Sequence, residues 1–329
     1  MIKKMQKSNT ILCTSRNYRE VTQLAKLRKI RLSLIGKHGG QSRIGKLNAG
    51  LERTSVLTRQ IQKFQPDLTV SFCSPEAARI SFGLGIRHVA FCDSPHAQAV
   101  MRLSVPLVQK LLIPWIIPKK EFTKYGIDEK NIISYKAIDA AVIIKYGKTK
   151  TAPRKHGKKN ILIRIEEAQA AYVQKNENHI LKIIEKIASR FPDANVIVLP
   201  RYKTQILKLR RVLGKKIRIL DKVVVGSTLL QDTDVFVGSG GTMTAEAALL
   251  GIPTISYNAV PNLVQDYLVG KKLILLESDP NKIVFTIDRM LRSDNKALRK
   301  NAKKTLSAME DPYKKLLEAI KLEQNRKYQ

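Results

Sequence analysis

Residues 234–253 read DVFVGSGGTMTAEAALLGIP and predict a strand, a glycine turn and a helix in succession. The β-favouring run from Val235 ends at glycines, whose missing Cβ atoms let the backbone turn tightly and approach a ligand closely. A helix that begins near Thr242 points unpaired N–H groups and the positive end of its dipole at that turn, and Gly251 and Pro253 end it. At the carboxyl end of a parallel strand, this arrangement favours an anion such as phosphate. The alternative is a tight turn that only packs the helix against the strand.

Glu246 lies one helical turn beyond the start of this helix. A period of 3.6 residues places Met243, Ala247 and Leu250 on the buried stripe and Glu246 at its edge, where a carboxylate can reach ribose hydroxyls. The alternative role for Glu246 is to complement the helix dipole. The glycine spacing matches neither G-x-G-x-x-G nor G-x-x-x-x-G-K-[ST], so it predicts neither a dinucleotide fold nor a P-loop NTPase.

Length and composition indicate a globular protein of two domains. The chain has 329 residues, of which 43% are hydrophobic, and this is enough for two separate cores. The three cysteines form no C-x-x-C pair, which argues against structural zinc or a disulfide framework and predicts a reducing, cytoplasmic location. No apolar run approaches the roughly 20 residues of a spanning helix. We therefore expect a protein that is soluble or peripheral on a membrane, and we expect no metal.

The charge is strongly basic. Sixty Lys and Arg residues stand against 27 Asp and Glu residues, for a formal net charge of +33. Such a surplus attracts nucleic acid, an anionic membrane face that carries a lipid-linked acceptor, or a small phosphorylated substrate. Aromatic residues make up 6% and are not interleaved with the basic ones, and no helix-turn-helix or zinc-finger pattern is present. These observations argue against nucleic acid as the partner.

Short apolar runs alternate with helical patterns throughout the chain, which is typical of βαβ units and parallel sheets. We predict an α/β fold of two Rossmann-like domains that face a central cleft. The predicted divisions are a first domain at 1–145, a basic linker at 146–159, a second domain at 160–311 and a last helix at 312–329 that docks back on the first domain. The predicted strands are Thr10–Ser15, Arg31–Ile35, Leu68–Phe72, His88–Cys92, Leu111–Ile113, Asn131–Tyr135, Asn160–Ile165, Asn195–Leu199, Lys216–Leu220, Val235–Gly238, Thr254–Tyr257 and Lys272–Leu276.

Several motifs together resemble one prokaryotic, largely archaeal family, domain of unknown function 354 (DUF354), and the resemblance covers nearly the whole chain. The motifs are Gly36-Lys37-His38-Gly39-Gly40, Ser74-Pro75-Glu76-Ala77-Ala78-Arg79, Phe82-Gly83-Leu84-Gly85-Ile86, Tyr135-Lys136-Ala137-Ile138, Pro200-Arg201 and the run from Gly240 to Pro253. The resemblance implies a GT-B fold. That family opens with a strand and helix before the segment that matches Thr10–Ser15, so we expect the first βα unit to be missing here.

More distantly, the glycine turn is similar to the donor sites of the lipid II-forming glycosyltransferase and of the non-hydrolysing UDP-N-acetylglucosamine 2-epimerase. By that likeness Ser239, Gly240, Gly241 and Thr242 hold a diphosphate, and Glu246 holds a ribose. The implied function is transfer of a sugar from a UDP-type sugar nucleotide to an acceptor. The alternatives are epimerisation of such a nucleotide, or a non-catalytic basic protein that binds nucleic acid or a membrane on a degenerate GT-B scaffold. In either enzymatic case the sugar nucleotide is the substrate and no cofactor is expected.

Five further residues are candidates because they end or follow predicted strands, where ligands bind in such sheets. Arg164 and Arg201 can neutralise phosphate charge, or they are surface or structural ion-pair residues. His38, Asp93 and His96 are candidates for the base that deprotonates the acceptor. For His38 the alternative is a backbone role in its turn, and for Asp93 it is a helix cap.

Two other segments have competing interpretations. Asp232-Thr233-Asp234 has the D-x-D spacing of a metal site, but it precedes its strand, so we interpret it as a loop cap. The apolar stretch from Leu103 to Pro118 predicts either contact with lipid or a buried strand bounded by prolines.

Overall fold

The fold is taken from a computed structural model that describes residues 1–17, 19–40, 42–147, 157–165, 177–221, 224–257 and 261–325. The chain divides into one unit of Met1–Ala137 with Glu310–Gln329 and a second of Ile138–Met309.

The described residues of the first unit contain six parallel strands in two sheets. Strands β3 to β6 form one sheet in the order of the chain, and β1 pairs with β2 in the other. The strands are β1 Thr14–Ser15, β2 Ser33–Leu34, β3 Leu68–Ser71, β4 Arg87–Phe91, β5 Lys110–Pro114 and β6 Ile132–Tyr135. The helices are α1 Ile2–Met5, α2 Arg19–Leu27, α3 Arg43–Phe64, α4 Pro75–Gly83, α5 Gln98–Ser104 and α6 Lys120–Thr123, with 3₁₀ turns at Val105–Leu107 and Glu129–Asn131.

Helix α4 begins where its sequence predicts. The Ser74 hydroxyl accepts a hydrogen bond from the Ala77 N–H, and Pro75 occupies the first helical position. Near the start of β4, the His88 backbone N–H donates a hydrogen bond to the side chain of Gln109. Strand β5 is fully buried, so the stretch from Leu103 to Pro118 supplies a core strand, as the buried-strand interpretation of that stretch predicts.

In the part of the chain that the structure describes, the second unit is one six-stranded parallel sheet in the order β12-β11-β10-β7-β8-β9. Its strands are β7 Asn160–Arg164, β8 Asn195–Leu199, β9 Arg218–Ile219, β10 Val235–Gly238, β11 Thr254–Ser256 and β12 Leu275–Leu276. Its helices are α7 Asp139–Tyr146, α8 Glu177–Arg190, α9 Lys203–Leu213, α10 Gly226–Gln231, α11 Thr242–Leu249, α12 Leu263–Gly270, α13 Pro280–Arg292 and α14 Lys296–Ser307, with a 3₁₀ turn at Gly214–Lys216.

The strand order of the second unit is the doubly wound order. The chain starts in the middle at β7, proceeds outward to β9, and then returns to build β10 to β12 on the other side. Helices cover both faces, because one apolar cluster joins the sheet to α8 and α13 and another joins it to α10 and α11. The strand order reverses between β7 and β10, and ligands bind at the carboxyl ends of the strands at such a point.

The last helix, α15 at Pro312–Asn325, belongs to the first unit and packs against β4, β5 and β6. Its residue Leu316 is completely buried, and Lys4 forms an ion pair of 2.6 Å with Asp311 just before the helix. The division between the units falls before α7 rather than in the basic stretch at 146–159. Helix α7 packs on α11, and residues 148–156 of that stretch lie outside the described part of the chain.

Candidate functional site

The glycine turn lies at the point where the strand order reverses. Strands β10 and β7 are paired in parallel, with Val237 opposite Ile163. Continued by one residue, this register sets Gly238 beside Arg164 at the carboxyl edge of the sheet. The predicted turn therefore begins at the position in the sheet where the strand topology favours ligand binding.

Glycine is required at the turn for two physical reasons. Gly240 and Gly241 have φ angles of +82° and +85°, in the left-handed region that side chains rarely adopt. Gly238 is held by packing instead, because a Cβ there would lie 2.6 Å from Cε1 of Phe236 and 2.7 Å from Oγ1 of Thr244. The hydroxyl of Thr244 donates to the Gly240 carbonyl over 3.0 Å and so fixes the turn.

Helix α11 begins without a side-chain cap. Its first helical hydrogen bond runs from the Ala245 N–H to the Gly241 carbonyl at 3.1 Å, so the helix itself supplies no acceptor for the N–H groups of residues 242–244. Gly241 and Thr242 are exposed and Ser239 is half-buried. These amides and the helix dipole form a preorganised group of donors for an anion.

Glu246 is buried rather than at the edge of the helix. Its exposed fraction is 7%, and all residues from Thr244 to Leu249 are buried, whereas Leu250 is exposed. The predicted stripe was wrong because α11 packs on α7, α10, α12 and α14 as well as on the sheet. The Glu246 carboxylate points toward the start of α10, where Oε2 lies 3.9 Å from the position of a Cβ on Gly226.

The two arginines lie at the carboxyl ends of neighbouring strands of the same sheet. Arg164 ends β7 and is half-buried, and its Nη1 donates to the carbonyls of Leu199 and Pro200 at 3.2 Å each. Arg201 follows β8 and is exposed, and its backbone N–H donates to Oε1 of Gln205 at 2.8 Å. Arg164 thus holds the end of β8 while it lies next to the glycine turn.

In the first unit, the structure brings Asp93 and His96 together in the loop after β4. The Ser94 hydroxyl donates to Oδ1 of Asp93 at 2.7 Å, and the Tyr125 hydroxyl anchors the loop through the Pro95 carbonyl at 2.9 Å. Burial lowers the pKa of His96 below its ordinary value of 6.5, while the Asp93 carboxylate opposes that shift. A neutral imidazole at physiological pH can accept a proton.

His38 lies in a different loop, between β2 and α3. Its Nδ1 accepts a hydrogen bond of 3.1 Å from the Gly40 N–H. This contact holds the turn, in agreement with the backbone role that is the alternative to catalysis. The same loop packs closely on α3, because a Cβ on Gly39 would lie 2.4 Å from the Gly45 carbonyl oxygen.

Three features of the first unit have no counterpart in the sequence interpretation. Arg53 of α3 faces Glu76 of α4 at 3.9 Å, with both side chains largely buried. The ring of Phe72 stacks on that of Phe91. His88 is fully buried and contacts the Ser71 hydroxyl at 2.8 Å. Each joins residues from separate elements, so no local pattern signals it.

The residues that the structure describes lack both a metal-binding cluster and a membrane-spanning helix. They contain no group of three or more His, Cys, Asp or Glu side chains placed to hold a metal ion. They also contain no helix long and apolar enough to cross a membrane. Asp234, from the D-x-D triplet, accepts a hydrogen bond of 2.9 Å from the Asn160 N–H at the start of β7.

The family described as "Protein of unknown function (DUF354)" matches residues 1–324. The chain belongs to this family. Among curated proteins, this DUF354 member is 29% identical over 303 residues to the uncharacterised protein MJ0665 of Methanocaldococcus jannaschii, covering 86% of the chain and 84% of that protein.

Solved structures show the fold of this DUF354 member. The UDP-GlcNAc 2-epimerase of Neisseria meningitidis, bound to UDP-GlcNAc, is similar with a TM-score of 0.68 at 17% identity, over 93% of this chain and 94% of the other. The spinosyn rhamnosyltransferase SpnG, complexed with spinosyn aglycone, is similar with a TM-score of 0.62 at 13% identity, over 94% and 92%. The predicted α/β GT-B fold and the predicted family are thereby confirmed.

Proposed function

We propose that the second unit binds a UDP-type sugar nucleotide at the turn from Ser239 to Thr242 and that the protein transfers the sugar to an acceptor. In this proposal the diphosphate accepts hydrogen bonds from the amides at the start of α11, and the Glu246 carboxylate accepts them from the ribose hydroxyls. The observation that carries the proposal is the uncapped helix start behind two left-handed glycines, at the point where the strand order reverses.

The transfer step needs two tasks from the protein. A bond forms between the acceptor oxygen and the anomeric carbon, while the bond from that carbon to the diphosphate breaks. The α11 amides stabilise the departing diphosphate, and Arg164 and Arg201 add positive charge nearby. Asp93 and His96 are the proposed bases for the acceptor proton, with His38 as the further candidate. This arrangement requires no metal ion or other cofactor.

Epimerisation of the sugar nucleotide is the second candidate. It is supported by the likeness to an epimerase with bound UDP-GlcNAc, and it uses the same proposed nucleotide site. The two reactions differ in their needs, because epimerisation proceeds without an acceptor. Incubation with UDP-GlcNAc alone, followed by NMR of the sugar, separates them: a new epimer supports the second candidate, and unchanged donor argues against it.

The location proposed for the protein is the cytoplasm, at an anionic membrane face. Helix α3 supports the membrane face, since Ile44, Leu47 and Leu51 lie on one side of its first half and are all exposed, beside the exposed Arg43 and Lys46. Aliphatic side chains next to basic ones are typical of interfacial helices. A lipid-linked acceptor would then lie in the membrane face to which the protein binds. A purely binding role on this basic surface remains the non-catalytic candidate.

Isothermal titration with UDP and UDP-GlcNAc tests nucleotide binding. Because hydrogen bonds to a carboxylate are strong, Glu246→Gln is expected to weaken UDP binding by about tenfold or more. Glu185→Gln is the matched control, since Glu185 is an exposed glutamate of α8 in the same unit. Added EDTA should leave the affinity unchanged. Wild-type protein without affinity for UDP, or equal affinities of the two variants, would contradict the proposal.

A further inference from the structure

Two cysteines of the first unit lie side by side at the carboxyl edge of its main sheet. Strands β3 and β4 are paired in parallel, and their register, continued by two residues from the last paired positions, sets Cys73 beside Cys92. The rings of Phe72 and Phe91, one position earlier, stack with centroids 5.4 Å apart, so the register holds beyond β3. Neighbouring strands lie about 4.8 Å apart, within the roughly 4.4–6.8 Å that separates the Cα atoms of a disulfide. The backbone spacing therefore suits a bond between the two sulfur atoms.

Both thiols are buried in the same apolar cluster. Cys73 is 4% exposed and Cys92 is 6% exposed, and Met101 belongs to the cluster as well. The Cys92 thiol lies 3.6 Å from the Met101 sulfur, and the two cysteine thiols are within hydrogen-bonding reach of each other. The side chains thus place sulfur next to sulfur, as the register predicts.

The two thiols differ in acidity. The hydrogen bond with Cys92 lowers the pKa of the Cys73 thiol, although burial opposes this shift. The same hydrogen bond, together with burial, raises the pKa of the Cys92 thiol. The thiolate is the nucleophile in thiol chemistry. Cys73 is therefore the sulfur that reacts first, and Cys92 is the sulfur that follows.

We propose that Cys73 and Cys92 are a redox-active pair that a peroxide converts to a disulfide. The Cys73 thiolate attacks one oxygen of hydrogen peroxide and the O–O bond breaks, so that Cys73 becomes a sulfenic acid and hydroxide leaves. The Cys92 thiol then attacks the Cys73 sulfur, the S–O bond breaks, and water leaves with the thiol proton. The hydroxide takes up the proton that Cys73 released. Two thiols and one peroxide thus give one disulfide and two waters, and the two sulfur atoms supply the two electrons.

The pair lies next to two segments at the same edge of the sheet. Cys73 directly precedes Ser74, the cap of α4, and Cys92 directly precedes Asp93, a candidate base. A disulfide would draw the sulfur atoms to about 2 Å and tie together the backbone after β3 and β4. Disulfides of this kind in reducing compartments are usually transient and redox-sensing. The pair therefore couples the oxidation state to the loop that holds Asp93, and its chemistry does not depend on the proposed function.

The third cysteine, Cys13, is the matched control in the same unit. It is half-buried and lies before β1, and burial raises its pKa. Cys13→Ser removes this thiol and leaves the pair intact. Trypsin cleaves after lysine and arginine, which puts Cys73 in residues 64–79 and Cys92 in residues 88–102. A disulfide between them thus joins two peptides that separate on reduction.

The experiment is mass spectrometry of the full-length Cys13→Ser variant after mild hydrogen peroxide at low protein concentration. We expect a mass loss of about 2 Da, loss of both remaining thiols in a titration of the denatured protein, and a linked pair of tryptic peptides. Dithiothreitol should restore both thiols. In Cys92→Ser, Cys73 should accumulate as a sulfenic acid that dimedone traps, whereas in Cys73→Ser, Cys92 should stay a thiol.

Three results would overturn the inference. They are two free thiols after peroxide, mass gains from sulfinic or sulfonic acid without a linked peptide pair, and disulfides only between two chains, seen as dimers on a non-reducing gel. Dimedone adducts on Cys92 instead of Cys73 would contradict the order of the two steps. If the variants of the pair fail to fold, the Cys13→Ser measurement still decides, because both sulfur atoms of the pair are present in it.

Discussion

At the scale of the residue, Gly238 and Gly241 serve the same turn for different reasons. A methyl group on Gly238 would overlap the Phe236 ring and the Thr244 hydroxyl, whereas one on Gly241 would meet no atom within 4 Å. We expect Gly238→Ala to lower the free energy of unfolding by about 1–3 kcal/mol through overpacking. Gly241→Ala should also cost about 1–3 kcal/mol, because its φ of +85° and ψ of −176° fall in a region essentially confined to glycine. Urea unfolding of both variants measures these losses, and an unchanged free energy of unfolding in either variant would contradict the reason given for that glycine.

The buried His88 should make the free energy of unfolding depend on pH. Burial lowers its pKa to about 4, so the folded protein keeps it neutral at pH values where the unfolded chain has already taken up a proton. Stability from this group is therefore complete above pH 6.5 and falls as the pH drops toward 4, by about 3 kcal/mol in all. His88→Gln should have a flatter dependence of unfolding free energy on pH over that range. Parallel slopes for variant and wild type would show that His88 does not titrate in this way.

At the scale of the element, α15 completes the core of the first unit from the far end of the chain. Leu316 is 0% exposed against the sheet, while its neighbour Leu317 is 41% exposed. Leu316→Ala should destabilise the protein by about 2–5 kcal/mol, the usual cost of a large-to-small change in a core. Leu317→Ala, the matched control, should change stability by less than about 0.5 kcal/mol. Thermal unfolding of the two variants is the measurement, and similar melting temperatures would argue against a structural role for α15.

The elements also show what sequence patterns can and cannot predict. Strands β8 and β10 have their predicted bounds, because continuous apolar runs between turn residues mark buried parallel strands. Strands β1, β2, β9 and β12 are shorter than predicted. All four are edge strands, which have fewer neighbours to extend them. The helical pattern places Glu246 at the edge of a buried stripe, but the residue is buried. One apolar stripe predicts burial correctly only for a helix that is covered on one side, and α11 is covered on several.

At the scale of the whole molecule, the sequence predicted the fold and the family, while the site depends on contacts between distant segments. The glycine turn was predictable because its strand, turn and helix are contiguous. The pairing of Arg53 with Glu76, the stacking of Phe72 on Phe91 and the packing of α7 on α11 were not, because each depends on tertiary structure. The candidate site residues stay predictions until ligand binding is measured.

The net charge of +33 should attract the protein to anionic membrane surfaces. We expect the protein to co-sediment with phosphatidylglycerol vesicles at low salt but not with phosphatidylcholine vesicles, because screening and lipid charge control the attraction. Leu47→Glu, on the exposed side of α3, should reduce this binding. Leu207→Glu is the control, since Leu207 is also an exposed leucine, on α9 of the other unit. Equal loss in both variants would indicate attraction by net charge alone, and the proposed role of α3 would be wrong.

A crystal structure of the full chain with UDP tests the proposed nucleotide site. We expect diphosphate oxygens within hydrogen-bond distance of the amides of Gly241, Thr242 and Met243, and ribose hydroxyls on the Glu246 carboxylate. UDP bound elsewhere in the second unit, or a glycine turn without nucleotide at millimolar UDP, would contradict it.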